Sequence, residues 1–450
     1  MKKYFYHAIP TGCLAIFLSM MPGCKKAADI TISSAKPEKA METFFGNDIS
    51  VNRPPVIHLY GDTVYTLSVS LTRELGEQLI IDEGTVIKVN GSASITIKPG
   101  GILQATGGPD RPIVFTSNVV AGNQNLNWGG IVIQGKSTDN AAGQAGNAAD
   151  FSGTLRYVRI EFAGLTLTAV GNRTLIENVQ VSYAYPQSSF EFDGGTFNAQ
   201  NLVSYACGGV ADLYITRGYT GKLQQVLAYR HPFFGPTGNT VTGVFIGNNP
   251  DNPGAKPNTA PVLSNVTVLG PDGQNGSSSI YGDSNRRSAA LVTTNNALFH
   301  IRNSLFLGFP EGCWYLDDAQ TADAIRFGRA EAGYSVFQSM DSTRAFYLSP
   351  GVYPPFNGGD FKNFMLGGSF SNKLFAGSRD FMFRDPFNYD RPDLLPGDNA
   401  VVLTGSNFDG AYFSDVFFKK IAYRGAMGTD DWLKGWTNFT PLKTNYNFPQ

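Results

Sequence analysis

The feature that most constrains this chain is a spaced repeat of short β-rich runs. The runs Leu155 to Ile160, Leu175 to Val181, Ala199 to Val203, Leu223 to Leu227 and Leu263 to Val268 align on Val158, Val179, Leu202, Val226 and Val266. The steps between those anchors are 21, 23, 24 and 40 residues, the last reading as one repeat plus an insertion. A period in the low twenties, with an apolar residue, two polar ones and another apolar one, is what a solenoid shows when equivalent strands stack. Leucine-rich repeats need a leucine lattice with a fixed Asn. Here Val, Ile, Phe and Tyr fill the positions, so a parallel β-helix fits better. Coils of that fold stack about 4.8 Å apart, with inward side chains forming apolar ladders and outward ones forming rows on a flat face.

Earlier runs are of the same kind. Thr85 to Val89, Ser94 to Ile97, Gly101 to Ala105, Pro112 to Phe115 and Gly130 to Ile133 are short and bounded by turns rich in Gly or Asn, as strands are. No window keeps a helical period beyond about ten residues, so helix content should be low. The 51 Gly and 25 Pro supply the turns that many strands need. With 33 Phe, 20 Tyr and only 16% charged residues, the chain is far from the makeup of a disordered protein. The balance of 35 Lys+Arg against 36 Asp+Glu gives no electrostatic handle for nucleic acid.

The first residues read as a targeting segment. Lys2 and Lys3 precede the apolar stretch Thr11 to Met21, which is too short to span a bilayer, a task for about 20 apolar residues. The following Met21-Pro22-Gly23-Cys24 resembles the bacterial lipobox, so residues 1–23 are expected to be a lipoprotein signal peptide and Cys24 the acylated first residue. Loss of the leader leaves 33 basic against 36 acidic residues. Acyl chains contribute ~0.8 kcal/mol per buried CH₂, enough for several of them to hold a protein on a membrane without a spanning helix. Lys25 and Lys26 favour the outer membrane, on its periplasmic or its cell-surface side. Residues 24–50 fit a flexible tether. Of the remaining cysteines, Cys207 and Cys313 could pair or remain two buried thiols.

Several segments carry a family resemblance. The run Gly84 to Thr116, Trp128 to Ile133, Leu155 to Phe162, Ile176 to Tyr183, Phe190 to Gly195 and Trp432 to Phe439 are similar to a family of bacterial cell-envelope lipoproteins. The resemblance spans about residues 80 to 440. It implies an all-β, right-handed single-stranded parallel β-helix and an envelope location, and attaches no activity. Members often carry an acidic run after the strand corresponding to Asn201 to Tyr205. Here Gly208 to Arg217 holds one carboxylate, Asp212.

The expected organisation is an N-terminal cap strand in 51–80, alternating at Tyr65, Leu67, Val69 and Leu71, and a β-helix body with insertions over 81–330. Coils and an irregular aromatic-rich cap then fill 331–450, because a solenoid must cover its end edges.

Candidate chemistry concentrates in Ser189-Phe190-Glu191-Phe192-Asp193. A period of two puts Phe190 and Phe192 on one face and Glu191 and Asp193 on the other. A shift of 23 residues lays Leu213 on Phe190 and Ile215 on Phe192. The outward row then holds Ser189, Glu191 and Asp193 over Asp212, Tyr214 and Thr216, with Arg217 at the strand end. Glu191, Asp193, Asp212, Tyr214 and Arg217 are therefore the candidate ligand-binding residues. Glu191, Asp193 and Asp212 would serve as acid and base in a polysaccharide-degrading enzyme, although neighbours on one flat strand suit binding better than cleavage.

Other spots are weaker. Asp317-Asp318 follows Trp314-Tyr315 in an acidic-aromatic cluster. His58, His231 and His300 show no metal-ligand spacing. The loop Gly247 to Asn252 could offer oxygens to calcium, without a loop-ligand motif behind it, and no other cofactor is expected. The expected function is a non-catalytic binding or adhesion module for glycans or other envelope ligands. The alternatives are a polysaccharide lyase or glycoside hydrolase, and a structural component of an outer-membrane assembly that uses insertions near 235–260 and 270–300.

Overall fold

The inward residues of successive runs lie directly over one another. Val158 pairs with Val179, Val179 with Leu202, Leu202 with Val226 and Val226 with Val266, all in parallel register. A computed structural model describes residues 35–41, 54–119, 126–141, 146–232, 234, 241–271, 289–309, 312–339, 341–352, 356 and 359–447. Cys24, most of the tether and parts of both insertions lie outside the described residues.

Each coil contributes a strand to a ten-stranded parallel sheet and a longer, bent strand to a seventeen-stranded one. In the coils from Gly153–Glu161 to Val262–Leu269 that longer strand runs unbroken through its bend. The bend is made by a single left-handed residue at one stacked position: Tyr157, Asn178, Asn201, Gln225 and Asn265, with φ from 50° to 58°. Asn303 and Tyr334 continue the row with φ of 58° and 53°. Asparagine recurs there because it tolerates this conformation better than other side chains with a Cβ. The bend is therefore the polar middle of the repeating apolar-polar-polar-apolar signature.

Residues 54–80 are not a cap laid over the first coil. They hold the first coil itself: Val56–Leu59, Val64–Leu67 and Leu71–Arg73 stack on Gln78–Ile81, Val86–Val89 and Ile95–Ile97. The piece that covers its edge is Glu38–Ala40, which pairs with Val64 to Thr66. At the other end, coils continue to Lys373–Phe375. Helix is sparse among the described residues, the α-helices being Ala319–Arg326 and Asp360–Met365.

Beyond that the chain doubles back. Residues 386–447 form a strap across the outer face of the seventeen-stranded sheet, from the coil of Asn303 to that of Lys88. Side-chain amides of the sheet grip strap backbone as a neighbouring strand would. Gln180 donates to Asn438 O at 2.8 Å and accepts from Asn438 N at 2.7 Å. Gln224 does the same with Lys419, at 2.8 Å both ways. Asn303 bonds both the carbonyl and the amide of Asn407, and Asn265 donates to Tyr423 O. Beneath the strap the outward residues Val203, Leu227 and Leu305 are fully buried, so these strands bury apolar side chains on both faces. Gly425 crosses here with φ of 83°, and a Cβ on it would lie 2.5 Å from Leu305 Cδ1. Only glycine permits that approach.

Candidate ligand-binding face on the ten-stranded sheet

The strand Phe190–Asp193 sits between Leu165–Thr168 and Ala211–Thr216. Phe190 and Phe192 point inward over Leu213 and Ile215 and are fully buried. Outward, Glu191 lies over Thr166 on one side and Tyr214 on the other. Tyr214 in turn pairs with Phe245. The rings of Tyr214 and Phe245 stack at 4.6 Å with only 9° between their planes. Thr166, Glu191, Tyr214 and Phe245 are all half-buried. The same row then passes through Val292 and Tyr315, which are buried, so its accessible stretch ends at Phe245. A second outward row sets Asp193 between Thr168 and Thr216.

Both carboxyls are held in place. Glu191 accepts from Thr166 Oγ1 at 3.2 Å and from the Ser188 amide at 3.2 Å, and Asp193 accepts from Thr216 Oγ1. Burial pushes the Glu191 carboxyl above the usual carboxylate range, with the charge of Asp193 adding to the shift. Burial likewise raises Asp193, and Arg217 only partly offsets this. The Tyr214 hydroxyl is raised by burial and by both neighbouring carboxylates. Arg217 closes the strand with a left-handed φ of 54° and sits 3.6 Å from Asp251. At this spacing the rings face each other and turn their edges outward, so the carboxyl oxygens beside them can bond the hydroxyls of a ligand that packs an apolar face along those edges.

A family model described as a pectate-lyase-like β-helix domain matches residues 52–339. The match runs through the coils to the strand Val336–Ser339. The chain belongs to the pectate-lyase-like β-helix domain family. No curated protein and no solved structure matches it. Membership fits a carbohydrate-related role.

Within this pectate-lyase-like β-helix, two residues expected on the outward row are elsewhere. Asp212 and Ser189 are fully buried. Ser204, a member of the inward ladder beside Val181, donates to Asp212 at 2.5 Å, and its oxygen lies 2.7 Å from the Ser189 hydroxyl, from which it can accept. Arg230 completes the cluster, its Nε 2.6 Å from Asp212 and its other nitrogens on the carbonyls of Cys207, Gly209 and Thr242. At this corner the turn is only beginning to enter the strand, so strict alternation does not yet hold and the side chains turn in. Asp212 is thus the counter-ion of a buried arginine and is out of reach of a surface ligand.

Other candidates are likewise structural. Asp318 caps the helix Ala319–Arg326 by accepting from the Thr321 amide, and Trp314 is buried in the core. Asn248 turns inward, donating to Pro253 O and Ala255 O and accepting from Asn140 and from the Thr259 amide. Cys207 and Cys313 are buried and unpaired, and burial lifts the Cys313 thiol to about 12. Phe245 escapes a fixed-period alignment because it lies 31 residues after Tyr214 rather than 23.

Proposed function

We propose that this β-helix is a glycan-recognition module that binds along the row Thr166–Glu191–Tyr214–Phe245 without cleaving its ligand, anchored to the outer membrane through acylated Cys24. The observation that carries the reading is the near-parallel Tyr214–Phe245 stack immediately beyond a positioned carboxyl. It lies on the face that the chain's own strap leaves free. Binding is favoured over cleavage by the disposition of the acids. Glycosidic hydrolysis needs two carboxyls across a scissile bond, ~5 to 9 Å apart, with environments that drive their pKa values apart. Glu191 and Asp193 stand on one strand and shift in the same direction. Arg217 is occupied with Asp251.

The family description supports the competing reading, a polysaccharide lyase or glycoside hydrolase using Glu191 and Asp193. A glycan array probed with the intact protein, followed by a reducing-end assay on every hit, separates the two. Binding without product, weakened by Glu191→Gln and by Tyr214→Ala, is the expected result. Product release abolished by Glu191→Gln or Asp193→Asn establishes the enzyme instead. No hit in either assay favours the role in an outer-membrane assembly.

A further inference from the structure

The first three coils differ from the later ones at one corner. Where later coils turn on a single left-handed residue, these split their long strand in two and carry a loop between the halves: 60–63, 82–85 and 107–112. The loops stack closely, a Cβ at Gly61 falling 2.1 Å from Glu83 O. Two cations staple them together. Lys36 Nζ donates to Gly61 O at 3.0 Å and to Gly84 O at 2.6 Å. Arg111 reaches the Glu83 carboxylate at 2.8 Å and the Glu83 carbonyl at 3.3 Å.

The stapled loops wall a groove of about 600 Å³, with Ile80 and Gln104 among its lining residues. Its chemistry is varied. His58 Nε2 lies 2.8 Å from Asp82 Oδ1 with both side chains partly open, at 37% and 43%. The His58 ring packs against Tyr60 at 4.3 Å, and Tyr60 is 52% exposed. An exposed aromatic surface backed by a second ring, beside a carboxylate oriented by an imidazole and an outward amide, is a platform with hydrogen-bonding groups at its rim. Asp62, Asp82 and Glu83 outnumber Arg111 in the lining, so a polyanion is disfavoured.

We propose that this groove is a second carbohydrate site, independent of the ten-stranded sheet. It takes a neutral sugar unit stacked on Tyr60 and bonded by Asp82 and Gln104. Two sites on different faces let one molecule hold two strands of a glycan or bind one strand by avidity.

The test removes the first site before examining the second. The intact protein carrying Glu191→Gln with Tyr214→Ala is titrated calorimetrically with cellohexaose, maltohexaose, mannohexaose and hexagalacturonate. At least one neutral hexasaccharide should still bind. Adding Tyr60→Ala or Asp82→Asn should weaken that binding by about tenfold or more, while Tyr60→Phe preserves it. The proposal is overturned by absence of binding in the double variant, by binding indifferent to Tyr60→Ala and Asp82→Asn, or by preference for hexagalacturonate. Failure of the first site alone appears differently, as binding in the unmodified protein that Glu191→Gln and Tyr214→Ala leave unchanged.

Discussion

The outer faces of the two sheets have opposite fates. On the seventeen-stranded sheet the outward row carries Val203, Leu227 and Leu305, and the chain lays its own residues 386–447 over them, fixed by Gln180, Gln224 and Asn303. On the ten-stranded sheet the outward positions from Thr166 to Phe245 are polar or aromatic and only half-buried. One solenoid thus has a face covered by its own chain and a face that the strap leaves open, the one proposed here to take a ligand. The lesson is that outward apolar ladders in a β-helix signal internal cover, whereas polar-aromatic rows signal an available surface.

The sharpest way to break the contrast is to end the chain at residue 385. Several large apolar side chains then meet water at ~1.5–3 kcal/mol each. The expected outcome is loss of a cooperative melting transition and strong binding of a hydrophobic dye, whereas Glu191→Gln and Tyr214→Ala on the other face keep a cooperative transition that Tyr214→Ala lowers only modestly.

A smaller perturbation is Gln224→Ala, which removes both bonds to the Lys419 peptide. It should cost about 1–3 kcal/mol, read by denaturant unfolding, against less than about 0.5 kcal/mol for Thr166→Ala on the open face. Equal costs would show that the strap contributes no more than the ligand face does.

The third prediction compares two carboxyls. Glu161 lies under the strap, accepts a hydrogen bond from the Tyr446 hydroxyl, and is raised above its ordinary value by burial, with Arg159 acting against the shift. A carboxyl raised on folding keeps its proton to higher pH in the native state than in the unfolded chain. Its stabilisation is complete below the unfolded pKa and is lost as pH climbs through the folded one. Stability should therefore decline as pH rises out of the ordinary carboxylate range, and Glu161→Gln should flatten that decline. Glu191 is raised in the same direction, but its partial exposure screens the effect. Glu191→Gln should change the pH profile only slightly, as melting curves across pH would report.

Much of the solenoid was legible from sequence because stacking imposes register. The anchors Val158, Val179, Leu202, Val226 and Val266 pair as aligned, and Phe190 and Phe192 lie over Leu213 and Ile215. The strap was not legible. Its contacts join residues far apart in the chain, from Asn303 with Asn407, 104 positions apart, to Lys88 with Asn447, 359 apart, and no local period encodes them. Its trace in the sequence is indirect, in outward aliphatic positions such as Val203, Leu227 and Leu305. Asp212 misled for a local reason, since the period-of-two rule applies within a strand and fails at the corner that feeds it. His58 carries no signal in the sequence, because its partner Asp82 is one coil away and the pair forms only when the coils stack.

The strap also changes what kind of object the solenoid is. A plain stack of coils behaves as a one-dimensional chain of neighbours, fraying from either end and able to grow coil by coil. Here Tyr446 is bonded to Glu161, and Asn447 to Lys36 and Lys88. Residues made long after the first coils thus tie those coils down. Each coil must therefore wait, with one flank unshielded, until residues 386–447 have been made. The finished molecule resembles a spring bound lengthwise by its own wire, in which losing an end coil means unfastening the whole length.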